Sequence, residues 1–230
     1  MGFFTDSLLS ASQIIFTLDA ELLMIAGVSL KVSLISTAIA GMIGVPAAFL
    51  ISIKEIPFKR SIITVLNTLL ALPTVVIGLF VYAFISRRGI FGTFDLLYTQ
   101  EAIIIGQIIL IIPIVTTFTI SAISRIDTRY RKTAMTLGAN QFQTAIVIFK
   151  EARYGITAAI VAAFGRVISE IGISMMLGGN ISGFTRTMTT AMALQYDKGE
   201  FILAVALGII LLSISLCVNI MLNYFQGRSS

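Results

Sequence analysis

Arg166 and Glu170 lie inside a long apolar run, four residues apart, and therefore share one face of a helix. A lone charge near the middle of a bilayer costs at least ~2.5–3.5 kcal/mol on insertion scales, so pairing is the cheap arrangement. An Arg-before-Glu pair at this spacing adds only ~0.2–0.5 kcal/mol to a helix, too little to explain two charges in a span. Two readings stay open: a structural ion pair at a helix or subunit contact, and a polar cavity through which a charged solute moves. Glu170 would repel a dianion unless Arg166 masks it. Downstream, Gly178, Gly179, Asn180, Ser182 and Gly183 can expose backbone N–H groups as an anion-binding nest. Thr185, Arg186, Thr187, Thr189 and Thr190 add hydroxyl donors and one cation. Donors without carboxylates suit an oxyanion; equally, the glycines supply the turn of an external loop that caps a span. Pro73 with Thr74, and Pro113 with Thr116 and Thr117, interrupt apolar runs and free backbone carbonyls, or serve as packing kinks.

Other chemistries are excluded by what the 230 residues lack. There is no His, and Cys217 stands alone, which rules out Cys–His metal sites, His-based proton transfer and an intrachain disulfide among them. No GxxxxGK[ST] stretch is present to cradle a nucleotide phosphate. No catalytic residues and no metal site are expected, and the chain itself needs no cofactor. The residues are 57% hydrophobic and only 12% charged, with a mean hydropathy of +0.99. Soluble domains are about 45–50% apolar and about 25% charged, so lipid must cover much of this surface. The net charge of +5 is spread over the ends of apolar runs rather than gathered in a patch, so nucleic acid is not an expected partner.

The elements that must position these residues are five apolar spans. They are expected at 22–53, 61–85 with a kink at Pro73, 102–124 with a bend at Pro113, about 154–177, and 201–225. The fourth ends at Gly178-Gly179-Asn180, and a polar stretch over 181–200 leads to the fifth. Lys31, near the start of the first, can reach the interface with its ammonium. Gly2–Leu18 is mildly amphipathic and too polar to span, so residues 1–21 read as a tail or interfacial helix. The first residues lack a basic region and carry Asp6, so no cleavable leader is expected.

Basic residues orient the spans. Ten fall on one side (Lys54, Lys59, Arg60, six in the central loop and Arg228) and four on the other (Arg87, Arg88, Arg186 and Lys198). The bias places the first connection, the central loop and the C-terminus inside and the N-terminus outside. The central loop, residues 125–153, carries apolar residues at Ala134, Leu137, Phe142, Ala145, Ile146 and Phe149 around a break at Gly138-Ala139-Asn140. This pattern predicts short helices held outside the membrane, where they dock on a cytoplasmic partner or form an ordinary basic loop.

The spacing in this loop resembles the cytoplasmic motif of inner-membrane subunits of ATP-binding-cassette importers: Glu-Ala-Ala, three residues, Gly, nine residues, Ile. Gly138 takes the Gly place, Ala134 the second Ala and Ile148 the Ile, while Lys132 and Thr133 stand where Glu and the first Ala are usual. The stretches GRVISEIG, MMLGGN and TRTMTTA within Gly165–Leu194, with LNTLLALPTVVIGL at Leu66–Leu79, resemble permeases of the tungstate and molybdate group, the tungstate type most closely.

That resemblance implies an all-α, polytopic permease of the MetI-like fold in a prokaryotic plasma (inner) membrane, a single transmembrane domain over 1–230. It implies a homodimeric pore, two cytoplasmic ATPase subunits that bind ATP and Mg, and an extracytoplasmic tungstate- or molybdate-binding protein. Ala134, Leu137, Gly138, Ala139, Phe142 and Ile148 would then couple to the ATPase. Pro73, Thr74, Arg166, Glu170, Gly178, Gly179, Asn180 and Thr187 would line or shape the path. Molybdate or another oxyanion is the alternative cargo. A self-sufficient secondary anion transporter or channel is the alternative class, and it predicts relay carboxylates in the spans, where only Glu170 qualifies. A membrane enzyme or assembly factor would need a catalytic constellation that the residues do not offer.

Overall fold

The computed structural model describes residues 20–53 and 57–227. The interfacial-helix expectation for Gly2–Leu18 lies outside them, as do Lys54 and Arg228 of the charge count. The described chain is helical. α1 (Ala20–Ile53) is followed by α2 (Lys59–Leu70) and α3 (Thr74–Ile85), then by a short 3-10 turn at Gly92–Phe94. α4 (Gln100–Ser124), α5 (Thr128–Thr136), α6 (Gln141–Ile168), α7 (Gly172–Gly178), α8 (Met188–Asp197) and α9 (Phe201–Gly227) complete it.

Three helices, α1, α4 and α9, are long and apolar enough to cross a membrane alone; two bent pairs bring the number to five. The pairs correct two expectations. The second span is not one kinked helix: α2 and α3 meet at 99°. Pro73 has no N–H to continue a helix and forces Leu72 towards extended backbone, so the chain restarts with Pro73 as N-cap of α3. The fourth span has no helix start of its own near Tyr154: α6 runs unbroken from Gln141 in the central loop to Ile168, then bends by 59° into α7. By contrast, Pro113 lies inside α4 without ending it.

α4 is the hub, packed against α1, α2, α3, α6 and α7. Ile103, Ile111, Val115 and Thr119 are fully buried along it. Small residues let the backbones approach. A Cβ on Gly106 would stand 2.6 Å from Ile173 Cγ2 and 2.7 Å from Leu177 Cδ1, so α7 can lie on α4 only over a glycine. Ser29, Ser33, Ser36 and Thr37 make the corresponding seam of α1, all buried. α9 is peripheral. Only 11% of its most apolar stretch is buried within the chain, leaving an apolar surface for lipid or another subunit.

Candidate functional site

The two breaks come together. α7 packs on α3, and a Cβ on Gly172 would stand 3.0 Å from Thr74 Oγ1 and 3.3 Å from Glu170 Oε1. The first residue of α3 and Glu170, two residues before α7 begins, thus face one another across a glycine. Val76 N and Ile77 N donate to Pro73 O at 3.0 and 3.3 Å, starting α3. Glu170, 3% exposed, does the equivalent for α7: its Oε1 accepts from Ile173 N at 3.3 Å. Its Oε2 accepts from Arg166 Nη1 at 2.6 Å. One carboxylate therefore ties the last turn of α6 to the first turn of α7. The unsatisfied N–H groups of a helix start carry positive potential, which suits a carboxylate there.

Of the two readings of the pair, Glu170 takes the structural one and Arg166 retains the other. The Arg166 side chain is 40% exposed. Its neighbours on that face, Gly165 and Ser169, are also exposed, as are Ala162 and Thr157 further down α6. A guanidinium open to the surface at the depth of a helix break requires water or a polar partner, not acyl chains.

The threonines are drawn inward. The stretch expected as a polar connection holds α8, whose Met188–Ala191 are buried. Thr187 caps it, reciprocally with Thr190. Thr189 Oγ1 donates to Glu170 O at 2.8 Å, and Met188 N donates to Ser29 Oγ at 2.7 Å. Thr187 thus sits in the network that holds Glu170, with its hydroxyl spent on α8. The glycine run closes on itself: Thr185 Oγ1 donates to Gly178 O at 2.6 Å and accepts from Ile181 N at 3.0 Å. Gly179 N donates to Met175 O, and Thr185 N and Arg186 N donate to Ile181 O, each at 3.0 Å. Gly179 N is committed to the cap of α7 and the other two N–H groups close the loop onto Ile181, which favours the capping role for Gly179 over an open nest. Gly179 is required there by its φ of 69° and by Tyr98, whose Cδ1 would lie 2.7 Å from a Cβ. Asn180 Nδ2 reaches Thr190 O at 3.4 Å, and its Oδ1 is buried without a hydrogen bond.

Two polar connections escape the sequence reading. Gln107, 1% exposed, accepts from Ser36 Oγ at 2.8 Å and donates to Val167 O at 3.4 Å, joining α1 and α4 to the turn of α6 before its break. An amide inside the Ile-rich run of α4 is the signal that marks it. Lys31 Nζ donates to Gln100 Oε1 at 2.8 Å, and Gln100 Nε2 donates to Phe184 O at 2.6 Å, so Lys31 pins the loop before α8.

The central loop is a separate feature. Asp127 caps α5 by accepting from Arg129 N at 2.9 Å. α5 ends in a Schellman turn: Ala139 N donates to Ala134 O at 3.0 Å and Gly138 N to Met135 O at 3.1 Å, with Gly138 at φ 84°. Asn140 and Gln143 then form a capping box for α6. Ala134 and Ile148 are buried within the chain, whereas Leu137 and Phe142 are 83% and 74% exposed. Ile148 packs with Ile123, Ala152 and Ile156 where α4 meets α6, while Leu137 and Phe142 stand out on either side of the Gly138-Ala139 turn.

Comparison with known proteins agrees with this architecture. The family of binding-protein-dependent transport system inner membrane components matches residues 21–230. A probable anion ABC transporter permease protein of Haloferax volcanii is 38% identical over 213 residues, 90% of this chain and 92% of the relative. The tungstate uptake system permease protein TupB of Peptoclostridium acidaminophilum is 34% identical over 226 residues, 98% and 99% of the two chains. Among solved structures, a bacterial alginate ABC transporter in complex with its pentasaccharide-bound periplasmic protein matches with a TM-score of 0.75 at 17% identity. That match covers 99% of this chain and 83% of the other.

Proposed function

Because the chain belongs to the binding-protein-dependent transport system inner membrane components, multi-pass proteins of the plasma membrane, we propose that it is the pore subunit of an ATP-driven importer of a tetrahedral oxyanion, tungstate first. The observation that carries this is the junction of two helix breaks beside Arg166. It offers a cation with open surface at a depth where lipid cannot solvate it, and its one carboxylate is already occupied by Arg166 and Ile173 N. A weak, passable site is what a pore needs when a separate protein has already selected the ligand. The near full-length likeness to a tungstate uptake permease supports the choice of anion. In this reading two copies form the pore, two ATPase subunits carrying ATP and Mg dock at Leu137 and Phe142, and an extracytoplasmic binding protein delivers the anion.

Deletion of the gene tests the cargo. Accumulation of tungstate at low external concentration should be lost, and restored by the wild-type gene. Unchanged accumulation in a strain without a second importer would reject tungstate as the cargo.

A further inference from the structure

The 59° break between α6 and α7 is held from two sides, and both holds lead to α1. Val167 O, in the last turn of α6, accepts from Glu170 N at 3.1 Å and, on its second lone pair, from Gln107 Nε2 at 3.4 Å. Glu170 O, inside the break, accepts from Thr189 Oγ1 at 2.8 Å. Each clasp is seated on a serine of α1. Ser36 Oγ shares its proton between Gln107 Oε1 at 2.8 Å and Val32 O at 2.7 Å. Ser29 Oγ accepts from Met188 N, the residue before Thr189, at 2.7 Å. Ser29 and Ser36 are about two turns apart and so share one face of α1. Ser29, Ser36, Gln107 and Thr189 are each no more than 2% exposed. Neutral hydrogen bonds in an interior return little net stability over apolar packing, but they fix direction. The break carries no proline, so its angle is set by the side chains that take up its carbonyls.

We propose that Gln107 and Thr189 are positioning residues for Arg166: two clasps, each anchored on α1, set the angle of the α6–α7 break and so fix where the guanidinium is presented. Gln107 holds the carbonyl of Val167, the residue after Arg166, and Thr189 holds the carbonyl of Glu170, the ion-pair partner of Arg166. Neither side chain needs to touch the anion, because both act through the backbone. The role of Arg166 rests on the importer reading, whereas the clasps themselves are tested without any cargo.

The test uses the complete permease–ATPase complex in nanodiscs, in a Cys217→Ser background. Spin labels at Thr157→Cys in α6 and Met175→Cys in α7, both exposed positions, report the distance across the break, with labelled copies diluted among unlabelled ones. Thr189→Val and Gln107→Met are close in size to the residues they replace but lack the donors, and each should broaden or displace that distance. Thr189→Ser, which keeps the hydroxyl, should restore it. In proteoliposomes Thr189→Val and Gln107→Met should lower the maximal rate of ATP-driven tungstate uptake about tenfold with the ATPase still bound, and Thr189→Ser should stay within about threefold of wild type. An unchanged distance in both variants, or a Thr189→Ser that behaves like Thr189→Val, would overturn the proposal. An altered distance with wild-type uptake would also overturn it, because the angle would then not position Arg166. If the wild type itself moves no tungstate, the importer reading fails, and the distances still decide whether the clasps set the break.

Discussion

Glu170 and Arg166 divide labour that the sequence presents as one pair. The carboxylate is buried and holds two helix ends, whereas the guanidinium is partly open. This division predicts an asymmetric response to substitution. Arg166→Ala leaves a buried carboxylate without its counter-charge, a loss of about 3 kcal/mol for such sites. Arg166→Ala/Glu170→Gln should recover part of that loss, because the neutral amide can still accept from Ile173 N. Thermal unfolding of the purified protein in detergent checks this: the double variant should melt above the single Arg166→Ala, and the reverse order would show that the pair does not close the α6–α7 break. Gly106→Ala should also melt lower, since its Cβ would meet Ile173 and Leu177 at under 3 Å in a packed interior.

At the scale of elements, the α5–α6 turn is the part proposed to meet a partner. Its Schellman turn and capping box spend the backbone groups internally and leave Leu137 and Phe142 outward. Gly138 sits at φ 84°, and a Cβ there would find open space, so Gly138→Asp costs roughly 1 kcal/mol of backbone strain and no clash within the chain. That variant should insert and assemble normally while losing capture of the ATPase from detergent extracts and losing transport together. Wild-type recovery of the ATPase with wild-type uptake would remove this turn from the coupling machinery.

The long elements were legible because their signal is composition: α1, α4 and α9 fall within two residues of the expected spans. The breaks were less so. Pro73 announced a change of direction but not a right angle. The α6–α7 break has no proline; it follows from Glu170 capping α7, a choice only tertiary packing reveals. α8 was hidden because hydropathy sees Thr187, Thr189 and Thr190 as loop residues, whereas their hydroxyls satisfy one another and Glu170 O inside the fold. Of the residues expected along the path, Thr74, Arg166 and Glu170 converge on the junction with Pro73 leading into it, while Gly178, Gly179 and Asn180 lie at the far end of α7 and Thr187 supports from behind.

At the scale of the whole molecule, the charge bias and the five-span architecture make one claim about sidedness. In a Cys217→Ser background, an impermeant maleimide added to sealed cells should label Ile90→Cys, which is 77% exposed beyond α3, and should not label Met135→Cys in α5. Permeabilised cells should label both. Labelling of Met135→Cys from outside would invert the topology and with it the direction of the proposed path.

The central claim is that this chain moves an oxyanion only when a separate ATPase drives it. Reconstitution of the permease with its ATPase subunits in liposomes, supplied with the tungstate-loaded binding protein on one face and Mg-ATP on the other, measures this directly. Tungstate should accumulate against its gradient only when ATP, the ATPase and the binding protein are all present. Accumulation by the permease alone, driven by an ion gradient, would contradict the claim and assign the chain to the self-sufficient transporters instead.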